Sequence, residues 1–305
     1  MYVNSMAIYF KIVVLFYTFS ITFCINNFPP LDISPTHSNA KELGLISSFH
    51  NNDINYNQRL IISTHRNLYV SREEISKSDA AHLLRRTTFG PTLDEIEYAS
   101  NIGLEAVLDM LFTLEPKPIP DFDWIYHSAH PDFNELESAQ KDSIRNKYED
   151  NYVELQTWWM SLMNNSSINI REMMVLFWHD HFATSAEVVK FTPSSYIQNQ
   201  FFRKHAFGNF KSLAKGINYD PAMLQWLDND QNYFVSETNF TINENYAREL
   251  LELFTMGEGN YSQNDVEEAA RALTGITTDG MHGIYSPTRH DHGEKIILGV
   301  SGDIG

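Results

Sequence analysis

From about residue 79 onward, apolar residues return every three or four positions, and capping residues stand at the breaks between these runs. Asp79 is placed to cap a helix through residues 82–88, which Gly90-Pro91 ends. Thr92 and Glu95 have the capping-box spacing that opens the next helix. Residues 103–112 put Leu104, Val107, Leu108 and Leu111 on one helical face. A long helix is predicted over residues 144–163, broken by Asn164-Asn165-Ser166-Ser167. Another is predicted over 171–181, where the unbroken apolar run 173–178 implies burial on most sides. Shorter helices are expected at 194–204, 207–216 and 221–227. Thr241 and Glu244 fit a second capping box, with the helix running to Met256 and Gly257 just past its end. Ser262 and Asp265 repeat the pattern before a helix that Gly275 stops. Strand patterns are sparse before Gly283. The prediction is therefore an all-α, multi-helix globular domain with at most a small β element near the C-terminus.

The first part of the chain departs from this rhythm. Lys11 precedes an apolar run over residues 12–24, short for a membrane span and of the length of a signal-peptide core. Residues 1–25 are read as a signal peptide, with an uncleaved N-terminal anchor as the alternative. Lipidation at Cys24 is the weaker reading, because Phe23 stands where a small residue is usual. Residues 26–77, rich in Asn, Ser, His and Pro, read as a variable, partly disordered leader, and 78–305 as the helical domain. Within that domain Pro116, Pro118 and Pro120 alternate, which favours an extended connector over 115–121. The expected location is exported: periplasm, cell surface or exterior. Contact with membrane is expected only through the N-terminal segment.

Composition changes this picture in three ways. Twenty Phe, 15 Tyr and 5 Trp supply ample material for a core. The single cysteine, Cys24, lies in the leader, so the domain is expected to have neither disulfide nor thiol nucleophile. Six basic and five acidic residues occur up to Lys77, leaving 16 basic and 34 acidic beyond it. So acidic a domain repels phosphate backbones, and nucleic acid is excluded as the expected partner; a substrate or an envelope component remains.

Common catalytic signatures are absent: no G-x-G-x-x-G after a strand, no phosphate-binding loop, no H-E-x-x-H and no G-x-S-x-G. Three segments carry candidate chemistry. In Trp178-His179-Asp180-His181-Phe182, a helix turning about 100° per residue points His179 and His181 in nearly opposite directions, with His181 inward and His179 on the face of Glu172. An extended segment would instead put both imidazoles on one side, where a divalent transition metal could bind. The bland alternative is a buried, hydrogen-bonded histidine. In His290-Asp291-His292-Gly293, an extended or looped backbone lets both histidines converge on an ion with Asp291 as ligand or orienter, against the alternative of a polar surface loop. In the segment from Asn243 to Phe254, Glu249 falls at the edge of the apolar face, where partial desolvation raises a carboxylate's pKa and suits a general base. Arg248 could there clamp an anion or simply pair with Glu244 and Glu252 on a solvated face. Asp228-Asn229-Asp230-Gln231-Asn232 resembles half a calcium loop, but Tyr233 stands where Gly is needed, and a turn is the expected reading.

Taken in order, five stretches resemble the family known as domain of unknown function 1800: HLLRRTTFGPT from His82, the segment from Phe177 to Phe182, the one from Asn243 to Gly257, DVEEAARALTG from Asp265, and HDHGEKIILG from His290. The resemblance runs from Ser78 to the end of the chain. It implies an exported, mostly bacterial protein without assigned activity, and a shared site drawn from Trp178, His179, His181, Asn243, Glu244, Asn245, Ala247, Arg248, Glu249, Glu252, Arg271, Thr274, Gly275, His290, Asp291, Lys295 and Gly299. His292 is outside that pattern, and Asp180 stands where Asn is more usual. Members usually continue past Gly305, which is what a fragment or truncated member would look like. The reading this supports is an exported metal-assisted enzyme, a hydrolase or oxidoreductase. His181, His290 and Asp291, with His179, would hold or orient a divalent transition metal, Glu249 would act as acid and base, and Arg248 would bind an anion. The alternative is a non-catalytic envelope or surface module in which the same residues form structural networks.

Overall fold

A computed structural model of the chain describes residues 74–113, 120–127, 136–165 and 168–304. The signal-peptide reading, the leader reading up to residue 73 and most of the proline-rich connector lie outside them; the last residues given to the leader, Ile75 to Lys77, belong to the helical domain. The described part is mostly helical, with three small antiparallel β ribbons towards its C-terminal end.

The helices are α1 (Lys77–Thr87), α2 (Leu93–Ile102), α3 (Leu104–Phe112), α4 (Asp123–His127), α5 (Ser138–Asn164), α6 (Arg171–His181), α7 (Thr192–His205), α8 (Phe210–Ile217), α9 (Pro221–Trp226), α10 (Asn245–Glu249) and α11 (Gln263–Ala272). The ribbons pair β1 (Tyr233–Ser236) with β2 (Asn239–Thr241), β3 (Ile276–Thr278) with β4 (Gly283–Tyr285), and β5 (Lys295–Ile297) with β6 (Val300–Gly302). The first ribbon starts at Tyr233, ahead of Gly283 where the sequence first signals strand.

Both capping boxes at Thr92–Glu95 and Ser262–Asp265 form, each side chain satisfying a backbone N–H that the helix ladder leaves open. Elsewhere the caps differ from expectation. Ser76, not Asp79, caps α1, so that helix begins earlier. The Thr241–Glu244 box does not form: Glu244 is the N-cap of α10, and the Asn243 side chain accepts from Asn245 N at 2.9 Å instead. Beyond α10 the ladder lengthens into a π-helical turn, Leu250–Thr255, and Gly257 follows with φ +81°. The run 173–178 is less enclosed than its composition suggests. In α6 only Glu172 and Val175 are fully buried, and Phe177 is exposed.

The main core gathers Val175, Phe182, Phe202, Leu213, Ile217, Met223 and Leu224 with Tyr246, Phe254, Val266 and Leu273. α6 to α11 thus pack about one apolar centre. A second core, with Leu84, Ala99, Val107 and Leu111, joins α1 to α3. Two buried polar groups sit within this packing. Glu172 forms a two-pronged ion pair with Arg203, one contact at 2.9 Å. Asp220 caps α9, accepting from Met223 N and from Gln198 Nε2, both at 2.8 Å, while its other oxygen has no partner among the described residues. Burial pushes its carboxyl up to about 7. Among the described residues no helix is long and apolar enough to cross a membrane.

Candidate functional site

The polar cluster with the most complete geometry is built on the C-terminal end of α11. That helix projects Asp265, Glu268 and Arg271 towards the β5–β6 ribbon. Asp265 Oδ1 accepts from Leu298 N at 2.6 Å, and Glu268 Oε2 from Ile296 N at 2.9 Å. Side-chain oxygens thus satisfy ribbon backbone groups and fix β5 against α11. After the helix, Gly275 takes φ +79°, and a Cβ there would lie 2.6 Å from Ser286 O. Only glycine lets the loop over residues 286–293 fold back so tightly on residue 274.

That approach fixes His290 and Asp291. His290 Nδ1 lies 2.9 Å from Thr274 O, so Nδ1 carries the proton and donates. Its Nε2 is left as a lone pair. Asp291 N donates to Thr274 Oγ1 at 2.8 Å. The Asp291 carboxylate accepts from Arg271 Nε at 2.7 Å, from Arg271 Nη2 at 3.2 Å and from Gly293 N at 2.8 Å. The Arg271 guanidinium holds this carboxyl below the usual range, and the same partner raises the pKa of Arg271. Arg271 also donates to Glu268 Oε1 at 2.7 Å. The Asp291 oxygens are therefore taken up by Arg271 and Gly293, the arrangement of an orienting residue, which is one of the two roles the sequence leaves open to it.

His292 Nε2 lies 3.0 Å from Pro287 O and must donate there. Both imidazoles thus give their far N–H to a backbone carbonyl, and their remaining nitrogens turn towards Asp303. His290 Nε2 stands 3.8 Å from Asp303 Oδ1, and His292 Nδ1 3.6 Å from Asp303 Oδ2. One ligand atom from each of these three residues lies within 4.8 Å of the others. Ligand atoms around a tetrahedral ion at about 2.0–2.1 Å would be roughly 3.4 Å apart, so zinc-type coordination requires these side chains to draw together around the ion. Lys295, whose side chain is 0 % exposed, donates to Asp291 O, to Asp303 Oδ1 at 3.1 Å and to His290 Nε2 at 3.3 Å. Its hydrogen bond and charge hold the Asp303 carboxyl low.

The cluster borders a cavity of ≈ 680 Å³. Phe234, Val235, Phe240 and Ile242, from the first ribbon and its exit, form one wall, and Arg271, His290, Asp291 and His292 form the polar side. The ribbon's register puts Phe234 opposite Phe240, so their rings pair at 5.9 Å across it.

The other sequence candidates stand elsewhere. α6 stays helical through His181, so the extended alternative for this segment is overturned. His179 packs edge-on against Trp159 and Phe202, its Nδ1 lacks a partner among the described residues, and burial lowers its pKa. His181 Nε2 donates to Phe254 O at 3.0 Å, within rings of Trp178, Phe182 and Phe210. Trp178 Nε1 donates to Ala206 O at 3.0 Å. Neither histidine lines the cavity or shares a partner with His290.

The segment from Asn243 to Glu252 forms a third locality. Arg248 pairs with Glu244 and Gln263, both at 2.9 Å, while Glu252 accepts from Tyr261 at 2.6 Å. Glu249 is half-buried and its pKa is raised, first by desolvation and then by Glu252, as its place on the helical wheel implies. It too is outside the cavity lining. The proposed catalytic pair and the proposed metal ligands therefore do not meet there. Asp303 was not singled out by sequence reasoning, and His292 was set aside because it departs from the family pattern. Their one available signal is a polar residue on either side of a short ribbon that returns the chain upon itself.

A family model described as protein of unknown function (DUF1800) matches residues 82–303. No curated protein and no solved structure matches the chain.

Proposed function

The chain belongs to the DUF1800 family, whose function is unknown; we propose that it is a metal-assisted enzyme, a hydrolase or oxidoreductase, centred on His290, His292 and Asp303, and that it is exported, a reading supported by the apolar run over residues 12–24. The observation that carries this reading is the direction of the two imidazoles. Each donates its far N–H to a carbonyl, of Thr274 or Pro287, and presents the other nitrogen to the same carboxylate. Metal-binding histidines are commonly oriented in this way by their outer N–H. Two nitrogens and one carboxylate suit a divalent transition ion and leave coordination positions for a substrate or water. When bound, such an ion supplies Lewis acidity or a more acidic water. This chain's residues supply the rest. The Arg271–Asp291 pair fixes the loop that carries both histidines, Lys295 holds that loop to Asp303, and the Phe234–Phe240 wall offers an apolar surface to a substrate.

Zinc titration of the purified, chelator-treated chain, followed by calorimetry and elemental analysis, tests the reading. One ion per chain is expected, with affinity falling at least tenfold in His292→Ala. Substoichiometric metal, unchanged by that substitution, would remove the metal centre. A second reading, a non-catalytic envelope or surface module, is favoured by one observation. The three Lys295 N–H groups each have an acceptor, so the cluster is electrostatically complete without an added ion. The same titration decides between them.

A further inference from the structure

We infer that Lys295 is the resident cation of this site and determines which ions enter it, an inference that rests on the metal reading above. A lysine ammonium has three N–H donors, and here each has its own acceptor: a backbone carbonyl, a carboxylate oxygen and an imidazole lone pair. Two of those acceptors, Asp303 Oδ1 and His290 Nε2, are also prospective metal ligands. They lie 3.8 Å apart. An ion at about 2.1 Å from both would sit roughly 0.9 Å off the line between them, and hence within roughly 3.5 Å of Nζ. A divalent ion and a lysine ammonium at that separation repel each other in a site from which the lysine side chain is wholly screened from water. Lone pairs already engaged by Nζ must also be released before they can bind metal. Ion and ammonium are therefore alternative occupants.

The exchange has a direction in which to proceed. The Asp303 side chain is 55 % exposed and that of His292 60 %, so the ammonium can leave past Asp303 towards solvent while keeping a carboxylate close. Without an ion, Lys295 neutralises Asp303 and holds β5 to the loop. With an ion, that task passes to the metal, and Nζ is freed at the edge of the centre. Selectivity follows from the ligands being contested. Ions that gain most from imidazole, such as zinc, nickel, copper and iron, displace the ammonium. Magnesium and calcium, which prefer all-oxygen sites, do not.

The test compares wild type with Lys295→Met, which keeps the apolar stem and removes the charge. Without metal the variant should melt at lower temperature. In zinc titrations it should bind at least tenfold more tightly, because nothing is displaced. A second measurement uses the wild-type chain alone: brief acetylation with an amine-reactive ester, read by mass spectrometry at Lys295 and at the exposed Lys77. Saturating zinc should raise acetylation of Lys295 severalfold and leave Lys77 unchanged, and magnesium should change neither. Equal zinc affinity in the two proteins, or Lys295 labelling indifferent to bound zinc, would overturn the exchange and leave the metal centre standing. Absence of zinc binding by both proteins would remove the metal reading and the exchange together.

Discussion

Asp291→Asn separates a residue that orients the loop from one that binds an ion. The substitution keeps the side chain's shape and removes its charge. One asparagine oxygen can still accept from Arg271, but the amide N–H₂ now faces a second guanidinium N–H, donor against donor. Two hydrogen bonds to an ionised carboxylate, at 2.7 and 3.2 Å, are weakened or lost. Breaking a fully buried pair costs about 3–5 kcal/mol. The Arg271 side chain is 28 % exposed and that of Asp291 10 %, so water recovers part of this. A loss of about 2–3 kcal/mol is expected, which for a domain above 150 residues lowers Tm by roughly 4–12 °C. The sign with pH follows from the depressed carboxyl. Its contribution is fully present above the ordinary aspartate range and is lost as pH falls through the lower, folded-state value, so variant and wild type should converge in stability only in strong acid. Melting curves at several pH values, paired with zinc titration, provide the assay. Reduced stability is expected, with one zinc ion per chain still bound at an affinity weakened about 10–100-fold, as for loss of an orienting partner. Unchanged melting with zinc affinity lost would refute the reasoning and return Asp291 to the set of ligands.

Two further outcomes follow from the surrounding structure. His181→Ala removes a hydrogen bond to Phe254 O and leaves a gap among aromatic rings; a loss of roughly 2 kcal/mol is expected in urea melts, with zinc stoichiometry unaltered. Zinc loss with an unchanged melt would put His181 back at the metal. Asp220 has a folded-state pKa of about 7, above its ordinary 3.8, so the folded chain holds the extra proton between those values and loses stability as pH rises through them. Asp220→Asn removes that dependence. Between pH 5 and pH 8 the stability difference should move in the variant's favour by on the order of 2–4 kcal/mol, and parallel curves would contradict it.

The helical part of this fold was legible because its signals are local. Thr92–Glu95 and Ser262–Asp265 act within one turn, and residues 171–181 were bounded correctly by composition alone. The π-helical turn was not legible, since an extra residue in a helical ladder leaves the apolar spacing nearly intact; nor was the Asn243 cap, which competed with an equally good Thr241–Glu244 pattern. At the site, periodicity placed Glu249 at a half-buried edge, yet it could not say that His181 and His290 serve different localities, because that is decided by packing between distant helices. Asp303 escaped notice for a related reason. A lone aspartate after a three-residue strand has no sequence context, and its role appears only once the ribbon folds back over His290.

Arg271, Thr274, His290, Asp291, His292, Lys295 and Asp303 all belong to a single stretch of the chain, from residue 271 to residue 303. Most interactions among them span fewer than twenty-five residues, so assembling the cluster closes only short loops and carries little ordering entropy. The contact joining α6 to the π-helical turn, His181 to Phe254, spans 73 residues and closes a far longer loop. The chemistry of this region can therefore vary through changes in one short segment while the helical frame around it is left as it was.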